Sequence, residues 1–137
     1  MREILFKAQK LYNNEWVEGN LVIDNCGIPH IVKNCFFEYG HHFTYNNYTD
    51  KSDLFKRKTI CQYTGLTDKN GNKIWENDIV AIPGEDERFL VEWGIEQAAF
   101  VIESDTLQCD FDNYRGTDLE VIGNVFDNPD LLKESEE

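Results

Sequence analysis

Residues 59–82 of this 137-residue chain read TICQYTGLTDKNGNKIWENDIVAI and indicate the class of its structure. The first six residues are rich in the β-branched and aromatic side chains that strands favour. The pair Asn70-Gly71 is a strong hairpin signal, because both residue types tolerate the positive φ angles of a tight turn. Apolar residues then return from Ile74 to Ile82. The stretch predicts two strands joined by a turn.

Similar patterns predict further strands on both sides of this hairpin. No segment has the 3.6-residue apolar stripe of a long helix, so we expect an all-β (mainly β) protein. Residues 40–58 are polar and turn-rich and predict a long loop. The remaining predicted strands are Ile4–Ala8, Trp16–Ile23, Ile31–Tyr39, Arg88–Trp93, Ala98–Glu103 and Leu119–Asn124.

The chain length favours a single domain over residues 1–137, because much shorter units bury too little surface to be stable alone. Five short strands within residues 59–126 suit a small SH3-like barrel, since closure removes exposed strand edges. In this interpretation the N-terminal strands and loop of residues 1–58 pack on the barrel. Residues 127–137 form an acidic tail.

The charge of the chain is strongly negative and unevenly distributed. Thirteen basic residues stand against 26 acidic ones, a net charge of −13. Residues 1–58 carry 8 basic and 7 acidic groups, whereas residues 59–126 carry 4 basic and 14 acidic groups. Duplex binding draws much of its affinity from Lys and Arg, so this balance argues against direct nucleic-acid binding.

Targeting and redox signals point to a cytoplasmic protein. No apolar run approaches the ~20 residues of a membrane span, and the N-terminal residues mix charges into their apolar stretch, unlike a secretion signal. We therefore expect no membrane association. The four cysteines include no C-x-x-C pair, which predicts free thiols.

Two stretches resemble the YopX-like family of phage and prophage proteins. Residues 62–80, QYTGLTDKNGNKIWENDIV, are similar to the family pattern Q-Y-T-G-L-x-D-x-N-G-x-x-I-Y-E-G-D-I-V, with Asn77 in place of the usual Gly. Residues 119–132, LEVIGNVFDNPDLL, are similar to its closing E-V-I-G-N-x-x-x-N-P-x-L-L. The resemblance implies an SH3-like barrel encoded by a phage or prophage and acting in a bacterial cell. It brings no catalytic residues.

Three aromatic residues are candidates for partner binding. SH3-like barrels commonly bind extended peptides through aromatic shelves, so Tyr63, Trp75 and Trp93 are predicted to line a groove. The alternative is that these rings fill the core.

Three carboxylates are the second group of candidates. Asp110 and Asp112 would share one face of a strand and, with Asp105, form an acidic binding surface. The alternative is a solvated acidic loop.

No set of residues predicts a catalytic, cofactor or metal site. The Asp68–Asn72 segment lacks the Gly and Glu spacing of a calcium loop. His41 and His42 would point to opposite faces of a strand. We therefore expect no cofactor, no enzymatic activity and an unidentified protein partner. A homo-oligomer is one candidate, because the N-terminal half (net +1) and residues 59–126 (net −10) could complement each other between copies; the alternative is that packing within one chain uses the same complementarity.

Two alternative functions remain open from the sequence. The first is an acidic nucleic-acid mimic that occupies a host DNA-binding protein. The second is a small metal-dependent hydrolase built on the carboxylates and histidines.

Overall fold

The computed structural model describes residues 3–32, 35–37, 43–45, 55–105, 108–111 and 118–132, and these are built almost entirely of strands and turns. The predicted all-β class is confirmed. Within the described ranges there is no helix long and apolar enough to cross a membrane. Short 3₁₀ turns lie at Arg57–Thr59 and Pro129–Leu132. The strands are β1 Phe6–Gln9, β2 Trp16–Ile23, β3 Pro29–Val32, β4 Cys35–Phe37, β5 Phe43–Tyr45, β6 Cys61–Thr67, β7 Lys73–Trp75, β8 Asp78–Ala81, β9 Arg88–Gly94, β10 Ala99–Glu103, β11 Gln108–Asp110 and β12 Glu120–Asn124.

The strands form two five-stranded antiparallel sheets and a separate β4–β5 pair. The first sheet has the order β3-β2-β1-β6-β7 and the second the order β11-β10-β9-β8-β12. Strand β6 pairs with β1 through its first residues and with β7 through its later ones. The order of the second sheet is compatible with an SH3-like barrel, which stays a prediction.

The chain divides into two compact units, unit 1 of residues 1–62 and unit 2 of residues 63–137. Each unit has a hydrophobic core of its own. Burying one large apolar side chain in such a core stabilises the folded state by roughly 1.5–3 kcal/mol. The predicted single domain, with divisions after residues 58 and 126, stays a prediction. The core of unit 1 contains Ala8, Ile31 and Phe55. The core of unit 2 contains Ile74, Val80, Ile82, Phe89, Val91, Ile102, Cys109 and Leu119.

The predicted Asn-Gly hairpin is present between β6 and β7. The backbone N–H of Gly71 donates to the Asp68 carbonyl over 3.0 Å, and the N–H of Asp68 donates to the Asn72 carbonyl over 2.8 Å. Gly71 has a φ of +85°, so the loop is a three-residue turn that ends in a left-handed glycine. Asn70 does not adopt a positive φ, because this turn needs only one left-handed residue.

The predicted single strand Ile74–Ile82 is divided into β7 and β8, which belong to different sheets. Asn77 stands between them with a φ of +73°, the left-handed conformation that the usual Gly of the family pattern would also adopt. Its N–H donates to the Val91 carbonyl over 2.8 Å. The carboxylate of Asp78 accepts the N–H of Trp75 over 2.8 Å. These bonds close a corner that an unbroken apolar run does not reveal.

Two short strands were absent from the expectation. β11 lies where a loop was expected after β10, and β5 lies inside the predicted loop of residues 40–58. Each has three residues, which is too short to show a period of two.

Candidate functional site

Asp68 is a buried carboxylate that joins the two quoted sequence patterns. Its side chain accepts the backbone N–H groups of Asn70 and Asn72 on Oδ1 and that of Val121 on Oδ2, each over 2.9 Å. The adjacent Lys69 N–H donates to the Leu119 carbonyl over 2.9 Å. The β6–β7 turn is thereby bonded to the start of β12. The residue is only 2% exposed.

The environment of Asp68 keeps it ionised. Burial raises the pKa of this carboxyl, but the backbone N–H groups of Val121, Asn72 and Asn70 lower the pKa by more, so it lies below its ordinary value. Sequence reasoning identified Asp68 as a turn residue and missed its bond to β12. We therefore assign Asp68 a structural role, since its carboxylate oxygens already accept three backbone N–H groups and have little capacity left to bind a ligand.

Tyr63 and Trp75, two of the predicted groove residues, lie beneath the surface. They pair across β6 and β7, with ring centroids 5.5 Å apart. Tyr63 is 7% exposed and Trp75 is 4% exposed. The Lys73 ammonium lies 5.8 Å from the centroid of the Tyr63 ring. The two rings offer little free surface to a ligand.

Trp93, the third predicted aromatic residue, is 47% exposed. It lies on β9 opposite Phe100 of β10, and the two rings meet edge to face with centroids 5.1 Å apart. The partly buried Phe100 orients the indole while leaving much of it in solvent. This arrangement presents a large, preoriented aromatic surface.

The turn after Trp93 adds a second exposed apolar residue. Gly94 pairs with Ala99, so residues 95–98 form the turn between β9 and β10. Ile95 in this turn is 86% exposed, and Ala98 closes it with a φ of +52°. We call the surface formed by Trp93, Ile95 and Phe100 the hairpin end. Sequence reasoning missed Ile95, although an isoleucine directly after a turn glycine breaks the rule that turns are polar.

Two carboxylates lie on the face of β9 and β10 opposite to Trp93. Glu92 pairs with Val101, and Glu103 follows Val101 by two residues, so the two glutamates share one face of the sheet. A hydrogen bond between their carboxyl groups raises the pKa of Glu92 to about 7, and burial and the charge of Glu103 add to this rise. At neutral pH the side chain of Glu92 is therefore partly protonated, on the face of the sheet opposite to the hairpin end.

The predicted aspartates have separate positions. Asp105 is exposed two residues after the end of β10. Asp110 lies in the strand β11, where its Cα is in register with Val101. Asp112 lies outside the described residues. The backbone of Val101 thus pairs with Glu92 on one side and Asp110 on the other.

The described side chains offer little for metal chemistry. Among residues 3–32, 55–105, 108–111 and 118–132, no three His, Cys, Asp or Glu side chains are grouped to hold a metal ion. His41 and His42 lie outside the described residues. The described geometry presents an apolar surface with carboxylates in the same unit.

Comparisons with known proteins identify the family. The crystal structure of protein EF1440 from Enterococcus faecalis is similar, with a TM-score of 0.60 and 24% identity over 97% of this chain and 100% of that chain. At this identity the likeness shows the fold alone. The comparison with curated proteins gave no match. A family model described as YopX protein matches residues 5–133, and the chain therefore belongs to the YopX protein family.

Proposed function

We propose that this chain is a non-enzymatic accessory protein that acts by binding another protein, and that the hairpin end is its contact surface. The observation that carries the proposal is the exposure of Trp93, compared with the burial of Trp75 in the same unit. In the same proposal the protein is encoded by a phage or prophage and acts in the bacterial cytoplasm. These last parts rest on the family resemblance of residues 62–80 and 119–132.

The chemistry of the hairpin end is that of an interface anchor. Tryptophan is enriched among the residues that dominate binding energy, because it buries a large apolar area and carries an N–H donor. Ile95 extends the apolar surface with a second side chain that lies almost entirely in solvent. Since β9 and β10 are hydrogen-bonded along their length, little order has to be gained when a partner binds.

The test compares proteins that co-purify with tagged variants expressed in a bacterial host. Trp93→Ser removes the anchor. Ile23→Ser removes an exposed apolar residue of unit 1 and serves as the matched control. We expect mass spectrometry to find a protein that is retained by the wild type and Ile23→Ser and depleted at least about tenfold by Trp93→Ser. Equal recovery from all three proteins would overturn the proposal.

Self-association is the form of this function in which the partner is another copy. If the tagged protein is recovered alone, light scattering at high concentration and low salt would show from its molar mass whether the protein forms oligomers. Oligomers of the wild type that are lost in Trp93→Ser would assign the hairpin end to contacts between copies. Monomers in both samples would count against the proposal as a whole.

The second candidate is an acidic mimic of nucleic acid, which the register of β9, β10 and β11 favours. Glu92, Val101 and Asp110 are aligned across three adjacent strands, so acidic positions repeat over an ordered sheet. In this case a captured host protein would bind DNA and would be displaced by duplex DNA. Reversing the charges of Asp105, Asp110 and Asp112 would abolish its capture, while Trp93→Ser would leave the capture intact.

A further inference from the structure

The hairpin end lies in a strongly anionic environment. Unit 2 carries 5 basic and 19 acidic residues, a net charge of −14, whereas unit 1 carries 8 basic and 7 acidic residues. Glu96 is exposed in the turn directly after Ile95. Glu92 and Glu103 lie on the reverse face of the same two strands. The apolar hairpin end therefore has the Glu96 carboxylate in its own turn and belongs to a unit of strong negative charge.

Cations in the described part of the chain form no ion pair with these carboxylates. Over the part of the chain that the structure describes, Glu92, Glu96 and Glu103 form no ion pair. Two basic residues of unit 2 are engaged elsewhere. The Lys73 ammonium lies over the Tyr63 ring, and the Arg88 guanidinium donates to the Leu131 carbonyl over 3.0 Å.

The proximity of Glu92 to Glu103 supports the same conclusion. The neighbouring Glu103 carboxyl raises the pKa of Glu92 to about 7, so the ionised form of Glu92 is disfavoured in the free protein. A lysine or arginine placed against Glu92 would stabilise its ionised form. The free protein thus holds a charge pattern that a cationic ligand would relieve.

The same charge argues against a symmetric contact between two hairpin ends. In an isologous dimer the same acidic surface of both copies would meet. The two copies of unit 2, each with a net charge of −14, would therefore repel each other. An acidic partner is disfavoured for the same reason. The occupant that the surface suits is a basic one.

We propose that the hairpin end binds a segment of another protein in which lysine or arginine residues flank an apolar residue. The apolar residue contacts Trp93 and Ile95, and the cations lie against Glu96, the carboxylate of the same turn. The inference rests on the proposed function, because it names the chemistry of the partner for that surface. Charge complementarity sets partner choice and association rate more than final affinity.

The first experiment selects binders from a displayed library of random peptides about twelve residues long. Wild-type protein is the target, and peptides that also bind Trp93→Ser are removed. We expect the remaining peptides to be enriched in Lys and Arg around an apolar position. If peptides that depend on Trp93 show no such enrichment, the proposed function stands and this inference fails. If no binding depends on Trp93, the proposed function itself fails.

The second experiment measures one selected peptide by fluorescence anisotropy against two charge reversals. Glu96→Lys lies beside Ile95, whereas Glu85→Lys changes an equally exposed residue before the other end of β9. The strand between them is about 20 Å long. We expect Glu96→Lys to weaken binding by about tenfold at low salt and Glu85→Lys by less than about twofold. Equal effects of the two reversals would mean that only the overall charge of the protein matters.

Discussion

Replacing Asp68 with alanine should destabilise the protein by about 3–5 kcal/mol. The wild-type carboxylate is buried and accepts three backbone N–H groups, from Asn70, Asn72 and Val121. Removing the acceptor leaves these donors unsatisfied, at a cost of about 1–3 kcal/mol for each that water does not reach. The three donors together would cost about 3–9 kcal/mol, and we expect the lower part of this range because water can reach the exposed turn. The loss is a large fraction of the 5–15 kcal/mol typical of a whole domain.

The measurement is urea denaturation followed by tryptophan fluorescence, with three variants compared at pH 7. Asp68→Asn retains one oxygen acceptor and should lose about 2 kcal/mol, because one oxygen cannot serve both the turn and β12. Asp105→Ala, which removes an exposed carboxylate from the same unit, should stay within about 0.5 kcal/mol of the wild type. If Asp68→Ala unfolds at the same urea concentration as Asp105→Ala, the assigned role of the buried carboxylate is refuted.

The pH dependence gives an independent check on the same carboxylate. The pKa of Asp68 is lowered in the folded protein, so its contribution is present above the unfolded pKa and is lost as the pH falls through the folded value. The difference in unfolding free energy between the wild type and Asp68→Asn should therefore narrow from pH 7 towards pH 3. A difference that stays constant over this range would show that ionisation plays no part.

Three further substitutions test local features of unit 2. In the wild type, the raised pKa of Glu92 gives a contribution that is present below its unfolded pKa and lost as the pH rises through about 7. The unfolding free energy of Glu92→Gln, measured in urea, should therefore rise relative to that of the wild type by about 1 kcal/mol between pH 5 and pH 8.5. This is below the ~3 kcal/mol that the raised pKa would allow, because the site is partly solvated. Unfolding free energies of the two proteins that change in parallel with pH would contradict this. Ala98→Gly should raise the unfolding free energy by about 0.5–1 kcal/mol, because alanine is strained at a φ of +52°; an unchanged or lowered melting temperature would speak against that strain. Asn77→Ala should be about 1 kcal/mol less stable than Asn77→Gly in thermal denaturation, since glycine adopts the left-handed conformation of this corner without strain. Equal melting temperatures of the two variants would show that backbone strain at position 77 does not affect stability.

The parts of the fold that local chemistry determines were predictable from the sequence. The Asn70-Gly71 pair predicted the hairpin because its turn depends on a few adjacent residues. The family resemblance rested on two stretches that lie close together in the fold, where Asp68 of the first bonds to Val121 of the second. That bond itself spans 53 positions, so no local pattern could indicate it.

The features that depend on long-range pairing could not be read in advance. Trp75 and Trp93 both follow apolar alternation, yet Trp75 pairs with Tyr63 in the interior, whereas Trp93, next to the last residue of β9, is 47% exposed. The Glu92–Glu103 pair depends on the register of β9 and β10, which the four-residue turn sets. The corner at Asn77 could not be predicted from the sequence, because it exists only where β7 and β8 belong to different sheets.

The most direct test of the central claim measures the affinity of the purified protein for the partner that co-purifies with it. Isothermal titration calorimetry would compare the wild type, Trp93→Ser and the control Ile23→Ser, with circular dichroism showing that all three are folded. If the hairpin end is the contact surface, Trp93→Ser should weaken binding at least about 30-fold, the effect of losing a central aromatic anchor. Ile23→Ser should leave the dissociation constant within about twofold. Equal affinities for all three proteins would contradict the account and place the binding surface elsewhere on the chain.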